Sequence, residues 1–250
     1  MIPSDLNLSH GEKLVDLNRN GLKIVQNSEY FCFGMDSVLL AASAKAYKNQ
    51  KVVDLCCGVG VVPILMHARH GRAFYTGVEI DEYAYSLACR NVELNGLSDN
   101  IQMIRSDIRQ DFGLPDGCAD VVTVNPPYFE ARNGRPLSAS IPTARDTARA
   151  EHLCTIADVA QCAARLLKFG GKLYIVYRAD RLVQVLETLS RHDLTPKHIR
   201  YVHTYLTSPS KLFILTAVKS AAAGIVVASP LIIYDSPGVY SKEVNEVYNS

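Results

Sequence analysis

The sequence lacks long apolar runs, internal repeats and low-complexity tracts. None of its 250 residues belongs to an apolar stretch near the roughly 18 residues that a bilayer-spanning helix requires, and the longest runs, such as 212–218, have the length of strands. The first five residues lack the basic segment and apolar core of a secretory signal. The chain is therefore predicted to have no membrane partner and no secretory leader.

Cysteine is present, but not in a pattern that suits bridges or metals. The seven cysteines include no CxxC pair, and an odd number cannot all be paired; Cys56 and Cys57 are adjacent and the others are scattered. This argues against a disulfide framework and a zinc site, so no metal is expected. It favours a reducing cytoplasm, where most of these thiols would act as small buried apolar groups.

The net charge of +1 conceals a segregation of acids and bases. Residues 79–120 hold nine acids and three bases, whereas residues 165–219 hold ten bases and three acids. A basic surface on the C-terminal half would attract a polyanion. A solvated charged face without a partner explains the same counts equally well.

Apolar periodicity predicts an α/β chain. A hairpin is expected within residues 12–27, because Asn20-Gly21 favours a tight turn. Asp36 is expected to cap a helix that runs to about Tyr47. Strands are then predicted at 51–55, 73–78, 101–104, 121–124, 172–177, 197–205 and 211–219, with helices at 60–70, 82–95, 155–167 and 180–190. Alternating strands and helices imply a parallel sheet with right-handed crossovers, and residues 225–250 are expected to add a strand pair and a short helix.

Residues 129–152 form a predicted loop of unusual length. It holds two prolines and four arginines, Arg132, Arg135, Arg145 and Arg149. Loops this long within a compact domain are commonly functional lids or disordered segments. Its position directly after residues 125–128 favours a lid whose arginines contact phosphates, although a solvated loop explains the arginines equally well.

Acidic residues and glycines follow successive predicted strands. In the segment 54–60, Gly58 and Gly60 let the backbone turn tightly before a helix whose N–H groups are free. A dinucleotide-binding turn would need a small residue at position 63, which is proline. Glu79 ends the second strand, where a carboxylate can accept hydrogen bonds from both hydroxyls of a ribose. Asp107 follows the third strand, where it would lie beside an adenine ring.

The fourth strand runs into Asn125-Pro126-Pro127-Tyr128. Two prolines end a strand abruptly, because neither donates a ladder hydrogen bond. The Asn125 amide oxygen and the Pro126 carbonyl then offer two fixed acceptors for an NH2 group, and the Tyr128 ring can stack on the planar group that carries it. An ordinary strand-to-loop turn is the alternative interpretation.

Together these strand ends form a nucleoside-shaped site, and they resemble the ordered motifs of class I S-adenosylmethionine-dependent methyltransferases. The resemblance implies a Rossmann-like α/β fold with a seven-stranded, mostly parallel sheet in the order 3-2-1-4-5-7-6, the seventh strand antiparallel, here preceded by an N-terminal hairpin arm. It divides the chain into an N-terminal arm (1–35), a methyltransferase domain (36–219) and a C-terminal strand pair and tail (220–250).

The same resemblance implies S-adenosylmethionine as cofactor. Glu79 would bind its ribose hydroxyls, Asp107 its adenine amino group, and Gly58 and Gly60 its methionine end. Cys56 stands where glycine is more usual, so its side chain is expected to point away from the cofactor. The remaining residues expected at the cofactor are Phe33, Asp36, Asp54, Ile80, Ile108 and Asn125.

The Asn-Pro-Pro-Tyr motif resembles the branch that methylates amino groups of adenine, guanine or glutamine, with Asn125, Pro126, Pro127 and Tyr128 as catalytic residues. Segments 26–40, 150–152, 177–178 and 230–234 more narrowly resemble the tRNA1(Val) adenine-37 N6-methyltransferase group. That group implies N6-methylation of adenine in structured RNA, with tRNA as the expected partner. Phe129, Arg132, Arg135 and Arg149 would then contact substrate. The usual basic-His-Glu order reads Arg149-Ala150-Glu151-His152 here, a departure that weakens the transfer of any role to His152.

Other functions remain open at this point. Glutamine methyltransferases of the release-factor type carry the same tetrapeptide, but they have an N-terminal helical domain where this chain has about 30 mixed residues before Phe31. Ribosomal RNA and DNA are further possible substrates. A non-catalytic cofactor-binding or RNA-binding module is the alternative of a different class, and the intact Asn125, Gly58 and Gly60 count against it. The sequence does not indicate an oligomeric state.

Overall fold

The structure, a computed structural model, describes residues 7–30, 32–71, 73–127 and 154–249. Its strands are β1 (Glu12–Asp16), β2 (Lys23–Asn27), β3 (Lys51–Leu55), β4 (Phe74–Glu79), β5 (Ile101–Arg105), β6 (Ala119–Val124), β7 (Leu167–Arg178), β8 (Leu194–His203), β9 (Ser210–Lys219), β10 (Val226–Val227), β11 (Leu231–Ile232), β12 (Tyr234–Ser236) and β13 (Val239–Tyr240). Its helices are α1 (Met35–Ser43), α2 (Val61–His70), α3 (Glu82–Leu94), α4 (Ile156–Leu166), α5 (Leu182–Arg191) and α6 (Lys242–Asn249).

One large sheet forms the centre of the molecule. Its order is β10-β8-β9-β7-β6-β3-β4-β5, with β11 also paired to β8. Strands β3 to β7 pair in parallel, whereas β9 is antiparallel to both β7 and β8. Counted over the seven main strands from β3 to β9, this is the expected order 3-2-1-4-5-7-6 with an antiparallel seventh strand, so the predicted topology is confirmed.

The strand count differs from the prediction. The described sheet has nine strands, because β10 and β11 each add two residues in parallel to β8. Pairs this short leave no periodicity in the sequence. The tail also forms the predicted antiparallel pair, β12 with β13, followed by the short helix α6.

Each face of the sheet packs against its own hydrophobic core. Val52 and Val121 belong to one core with α1, α2, α3 and α6, whereas their neighbours Val53 and Val122 belong to the other core with α4 and α5. Successive residues of a strand point to opposite faces. The near-continuous apolar runs of these strands therefore result from burial on both sides.

The N-terminal hairpin docks on α3 through two asparagines one helical turn apart. The buried Asn91 accepts from the Val25 N–H at 2.6 Å and donates to the Val25 carbonyl at 3.0 Å. Asn95 makes the same pair of bonds to Lys23, at 3.0 and 2.6 Å. The helix thus satisfies the open edge of β2 as a third strand would. Asn91 also donates to the Val59 carbonyl at 2.9 Å, which connects the hairpin to the loop after β3.

Two helix boundaries illustrate where local signals succeed and fail. Helix α4 starts after Thr155, as predicted, with a capping box in which Thr155 and Asp158 bond each other's backbone N–H. Asp36 does not cap α1, so that prediction is wrong. Gly34 holds the capping position without a side-chain bond, Asp36 lies in the first turn, and the helix ends at Ser43 because Ala44 turns to an extended conformation.

The predicted loop at 129–152 lies outside the described residues, as do Tyr128, Phe129, the four arginines of that loop and His152. Among the helices of the described ranges, none is both long and apolar enough to cross a membrane.

Candidate functional site

The carboxyl ends of the parallel strands lie level with one another. Leu55 of β3 is opposite both Val78 of β4 and Val124 of β6, and Glu79 is opposite Arg105 of β5. The residues that follow these strands therefore meet along one line. We call this line, comprising residues 54–60, 79–80, 106–108 and 125–127, the carboxyl edge.

The turn after β3 is held in a left-handed conformation. Cys56, Gly58 and Gly60 have φ values of 56°, 54° and 80°. For a cysteine this region is uncommon, whereas glycine adopts it readily. The Cys57 N–H donates to the Val78 carbonyl at 3.0 Å, and the Gly60 N–H donates to the Cys57 carbonyl at 2.9 Å. These bonds fold the chain back on itself directly before α2 begins at Val61.

The two glycines serve different purposes. A Cβ at Gly60 would lie 2.8 Å from Met103 Cε and 3.4 Å from Ala88 Cβ, so a side chain there would push the turn away from β5 and α3. A Cβ at Gly58 would meet no heavy atom within 4 Å. Gly60 therefore permits close packing, whereas Gly58 borders open space in which a ligand can approach the backbone.

The Glu79 carboxylate ties two loops of the carboxyl edge together. One oxygen accepts from the Gly58 N–H at 2.8 Å, and the other accepts from the N–H groups of Ile80 and Asp81 at 2.9 Å each. Burial raises the pKa of Glu79, while these three donors oppose the rise. The adjacent Ile80 side chain is exposed, which leaves an apolar surface beside the carboxylate.

Asp54 is a buried carboxyl with one oxygen satisfied. Its Oδ1 accepts from the Thr123 hydroxyl at 2.5 Å, and its Oδ2 has no hydrogen-bond partner among the described residues. Burial raises the pKa of Asp54 to about 8, against the Thr123 hydrogen bond and with a further contribution from the Glu79 charge. Asp54 therefore keeps its proton near neutral pH, which avoids an unpaired buried charge.

The Asp107 carboxylate is engaged by Arg109. The guanidinium donates to Oδ2 at 2.6 Å and to Oδ1 at 3.0 Å, and the Arg109 backbone N–H also donates to Oδ1 at 2.9 Å. The hydrogen bond from its side chain to Asp107 raises the pKa of Arg109. Between them, the Ile108 side chain turns inward and packs in the core beneath α4.

Asn125 follows β6, and its amide group is oriented from another element. Its Nδ2 donates to the Ser37 hydroxyl at 2.9 Å, and this hydrogen bond fixes the orientation of the amide group. Ser37 is buried in the first turn of α1, directly after Asp36. This bond brings the start of α1, with Asp36 and the half-buried Phe33, to the carboxyl end of β6.

Four residues that sequence reasoning gave no role contribute to this site: Ser37, Asn91, Thr123 and Cys154. Thr123 had a usable signal, because it is the polar member of an apolar strand and lies opposite Asp54 in the sheet register. Asn91 and Ser37 bond residues that are distant in the sequence, so no local sequence pattern predicts their roles. Cys154 places its sulfur 3.5 Å from that of Cys56, which turns the Cys56 side chain toward α4.

The chemistry available at the carboxyl edge is recognition of polar groups. Within the described ranges, no group of three or more His, Cys, Asp and Glu side chains is arranged to hold a metal ion. The edge instead presents carboxyl oxygens, open space over Gly58 and an oriented amide. These features suit a ligand with hydroxyl and amino donors.

Two proteins with assigned activities are similar to this chain over most of its length. The tRNA1(Val) (adenine(37)-N6)-methyltransferase of Yersinia pseudotuberculosis serotype O:3 (strain YPIII) is 28% identical over 211 residues, which is 84% of this chain and 81% of that protein. The protein of the same name from Yersinia pestis (strain Pestoides F) is also 28% identical, over 84% of this chain and 82% of its own length.

Solved structures share the fold at lower identity. An Agrobacterium tumefaciens protein described as a predicted O-methyltransferase superposes with a TM-score of 0.70 at 21% identity, covering 86% of this chain and 96% of its own. TYW2 of P. horikoshii, solved with MeSAdo, gives 0.57 at 18% identity, covering 86% and 74%. The family model of the methyltransferase small domain matches residues 23–201. This chain belongs to the methyltransferase small domain family.

Proposed function

We propose that this protein transfers a methyl group from S-adenosylmethionine to N6 of an adenine in structured RNA, with tRNA as the expected substrate. The observation that carries the proposal is the Asn125 amide, fixed by Ser37 at the end of β6 and level with the Gly58–Glu79 pair. The names of the Yersinia relatives, which specify adenine 37 of tRNA1(Val), support the choice of substrate.

The residues of the carboxyl edge fit the proposed cofactor. When bound, S-adenosylmethionine supplies an electrophilic methyl group on a sulfonium. Glu79 would accept hydrogen bonds from the ribose hydroxyls, and Gly58, where the structure leaves open space, would border the methionine end. Asp107 would accept from the adenine amino group while Arg109 holds its carboxylate in place. The other proposed cofactor contacts are Phe33, Asp36, Asp54, Cys56, Gly60, Ile80, Ile108 and Asn125.

Transfer then depends on alignment. Asn125 Oδ1 and the Pro126 carbonyl accept from the two hydrogens of the substrate NH2 group, which turns the nitrogen lone pair toward the methyl group. Pro127 fixes the backbone after this pair. Alignment of two reacting groups can lower a barrier by roughly 7–11 kcal/mol. After transfer the substrate nitrogen is cationic and releases a proton to water, so this scheme needs no general base.

The target base must leave its stack to reach this edge, as enzymes that modify bases generally require. Tyr128 is proposed to stack on the extruded base, a contact worth roughly 1–3 kcal/mol. Phe129, Arg132, Arg135 and Arg149 are proposed to contact the substrate next to it.

The positive charge of the C-terminal half is less available than the sequence indicates. At least five of the ten bases between residues 165 and 219 form ion pairs with acids of the described ranges: Arg165, Lys168, Arg178, Arg191 and Arg200. A continuous basic face is therefore not the basis of the proposal. Lys211, exposed beside the carboxyl end of β7, remains a candidate phosphate contact.

The decisive test is product identification. The protein is incubated with isotopically labelled S-adenosylmethionine and, separately, with tRNA, ribosomal RNA, DNA and protein extracts, and each product is analysed by mass spectrometry. We expect label in N6-methyladenosine from the tRNA sample. Label in methylglutamine, or in DNA alone, would overturn the RNA assignment. Asn125→Ala serves as the control, because it should bind the cofactor and yet produce no labelled nucleoside.

A further inference from the structure

Two cysteines meet at the carboxyl edge from distant parts of the chain. Cys56 lies in the turn after β3, and Cys154 lies directly before Thr155, the residue that caps α4. Their sulfur atoms are 3.5 Å apart and hydrogen bonded. Both side chains are half-buried, whereas Cys57 and Cys162 are buried.

The separation is close to that of a bond. A disulfide requires about 2.05 Å between sulfurs, so the two side chains must approach by about 1.5 Å in total. Cys154 is held at the capping box of α4, where Thr155 and Asp158 fix the backbone. The Cys56 side chain already points at it. A small rearrangement within the turn is therefore sufficient for bonding.

The surroundings give the two thiols different roles. The hydrogen bond with Cys56 lowers the pKa of Cys154 and the Arg109 charge acts in the same direction, against burial and the charge of Asp158. The hydrogen bond to Cys154, burial and the charges of Glu79 and Asp54 raise the pKa of Cys56. Cys154 is thus the thiol that loses its proton more readily, and the thiolate is the reactive form.

We propose that Cys56 and Cys154 form a dithiol oxidation site, at which a peroxide converts the pair to a disulfide that locks the cofactor turn. The Cys154 thiolate attacks one peroxide oxygen, the O–O bond breaks, and hydroxide leaves, so that Cys154 becomes a sulfenic acid. Cys56 sulfur then attacks Cys154 sulfur, and the departing hydroxide takes the Cys56 proton as water. Two thiols lose two electrons in total, and the peroxide becomes two waters.

The bond would alter the ligand-binding backbone. Cys56 already occupies a left-handed conformation, and two residues later the Gly58 N–H is bonded to Glu79. Drawing Cys56 toward α4 displaces this turn from the open space over Gly58. The dithiol chemistry does not depend on the proposed function, but the expected loss of S-adenosylmethionine affinity rests on it.

The first test uses hydrogen peroxide on the intact protein, followed by tryptic mapping without reductant. We expect peptides 52–69 and 150–165 to become linked, two hydrogens lighter, before the other cysteines react, and dithiothreitol to separate them. Fragment spectra assign the link, because these peptides also contain Cys57 and Cys162. Cys154→Ser should abolish the link, and Cys118→Ser, a matched half-buried cysteine, should preserve it. Preferential oxidation of Cys32, Cys89 or Cys118 would overturn the proposal.

The second test measures the consequence of the bond. We expect oxidation to weaken S-adenosylmethionine binding about tenfold by calorimetry in the wild type and to leave the Cys154→Ser protein unchanged. An oxidised protein that binds as tightly as the reduced one would refute the locking of the turn. If the reduced protein binds no S-adenosylmethionine, the proposed function fails. Hydrogen exchange at the Gly58 and Gly60 amides then decides the inference, since a locked turn must change protection there.

Discussion

Asp120 and Asp54, at opposite ends of the central sheet, differ in how their carboxyl groups are satisfied. At the end remote from the proposed site, Asp120 accepts from the Lys168 ammonium at 2.6 Å and from the Lys51 N–H at 2.8 Å. Nearby, Lys219 donates to the Ala164 and Leu167 carbonyls where α4 ends. At the carboxyl edge, Asp54 instead keeps a buried oxygen without a partner among the described residues.

The contrast separates stabilising contacts from ligand-binding ones. Paired groups with lowered pKa values, such as Asp120, favour the folded state near neutral pH. A protonated buried carboxyl and a left-handed cysteine disfavour it. Unfavourable features concentrated at one end of a fold indicate where a ligand is expected to compensate for them.

The largest expected effect concerns the reactive amide. Asn125→Ala should reduce kcat by about 10³-fold, because removing one fixed partner of a reacting group commonly has that effect. The affinity for S-adenosylmethionine should fall much less, because the other proposed cofactor contacts remain. Steady-state kinetics on the identified RNA and calorimetry measure the two quantities. Ser37→Ala, which only releases the amide, should reduce kcat by about 10-fold. Wild-type turnover in Asn125→Ala would refute the mechanism.

The next effect tests the connection between the hairpin and the carboxyl edge. Asn91→Ala should reduce the free energy of unfolding by about 3 kcal/mol, because it leaves the Val25 N–H and the Val25 and Val59 carbonyls without their partner. Asn95→Ala provides the matched control and should cost less, because that side chain is more exposed. Urea denaturation followed by circular dichroism measures both variants. Equal losses would contradict the larger contribution expected of the buried Asn91.

Two carboxyl groups should give opposite pH dependences. The pKa of Asp54 is raised from 3.8 to about 8 on folding, so its contribution to stability is lost as pH rises through this window. Relative to Asp54→Asn, the wild type should lose on the order of 4 kcal/mol between about pH 5 and pH 8. The pKa of Asp120 is lowered, so its contribution, about 1 kcal/mol, is present above pH 4 and lost in more acidic solution.

Urea denaturation across the pH range, on the wild type, Asp54→Asn and Asp120→Asn, measures these contributions. Asparagine can still accept the Thr123 hydrogen bond, so the Asp54→Asn change isolates the proton. Parallel pH profiles for the wild type and Asp54→Asn would show that Asp54 is ionised in the folded protein.

The smallest expected effect is on RNA binding, which should depend on a lysine at one end of the sheet and not on a lysine at the other. Lys211 of β9 lies beside the carboxyl end of β7, whereas Lys172 of β7 lies opposite Val121, near the beginning of β6, and both are exposed. Lys211→Ala should weaken tRNA binding about threefold and reduce the slope of log Kd against log salt concentration by about 1. Lys172→Ala should change neither quantity. A loss with Lys172→Ala alone would place the RNA on the other end of the sheet.

Much of the architecture was predictable because its signals are local. Asn20-Gly21 marks the hairpin, Gly96 follows α3, and the apolar runs mark strands buried on both faces. The wrong cap at Asp36 shows the limit of such signals. Gly34 supplies the extended residue before α1, and Asp36 accepts the Ser37 N–H instead. Residue type alone does not distinguish these two positions.

The contacts between distant residues of the site could be identified only from the folded structure. Asn125 meets Ser37 across 88 residues, and Cys56 meets Cys154 across 98 residues. No periodicity links such positions, because helix packing determines which side chains from distant segments come together. The strand-end acids and glycines were identifiable because sheet register aligns consecutive strand ends. The roles assigned to Asp54, Glu79, Asp107 and Asn125 remain predictions that the variants above test.

The short strands β10 and β11 determine how the sheet meets its surroundings. Without them, β8 would present a ten-residue edge of unpaired backbone groups, a template on which another chain could add a strand. Each covers only two residues of that edge, and Pro230 separates them. The two short strands of the tail thus interrupt the exposed edge of β8, which lowers the tendency of this protein to aggregate through its sheet.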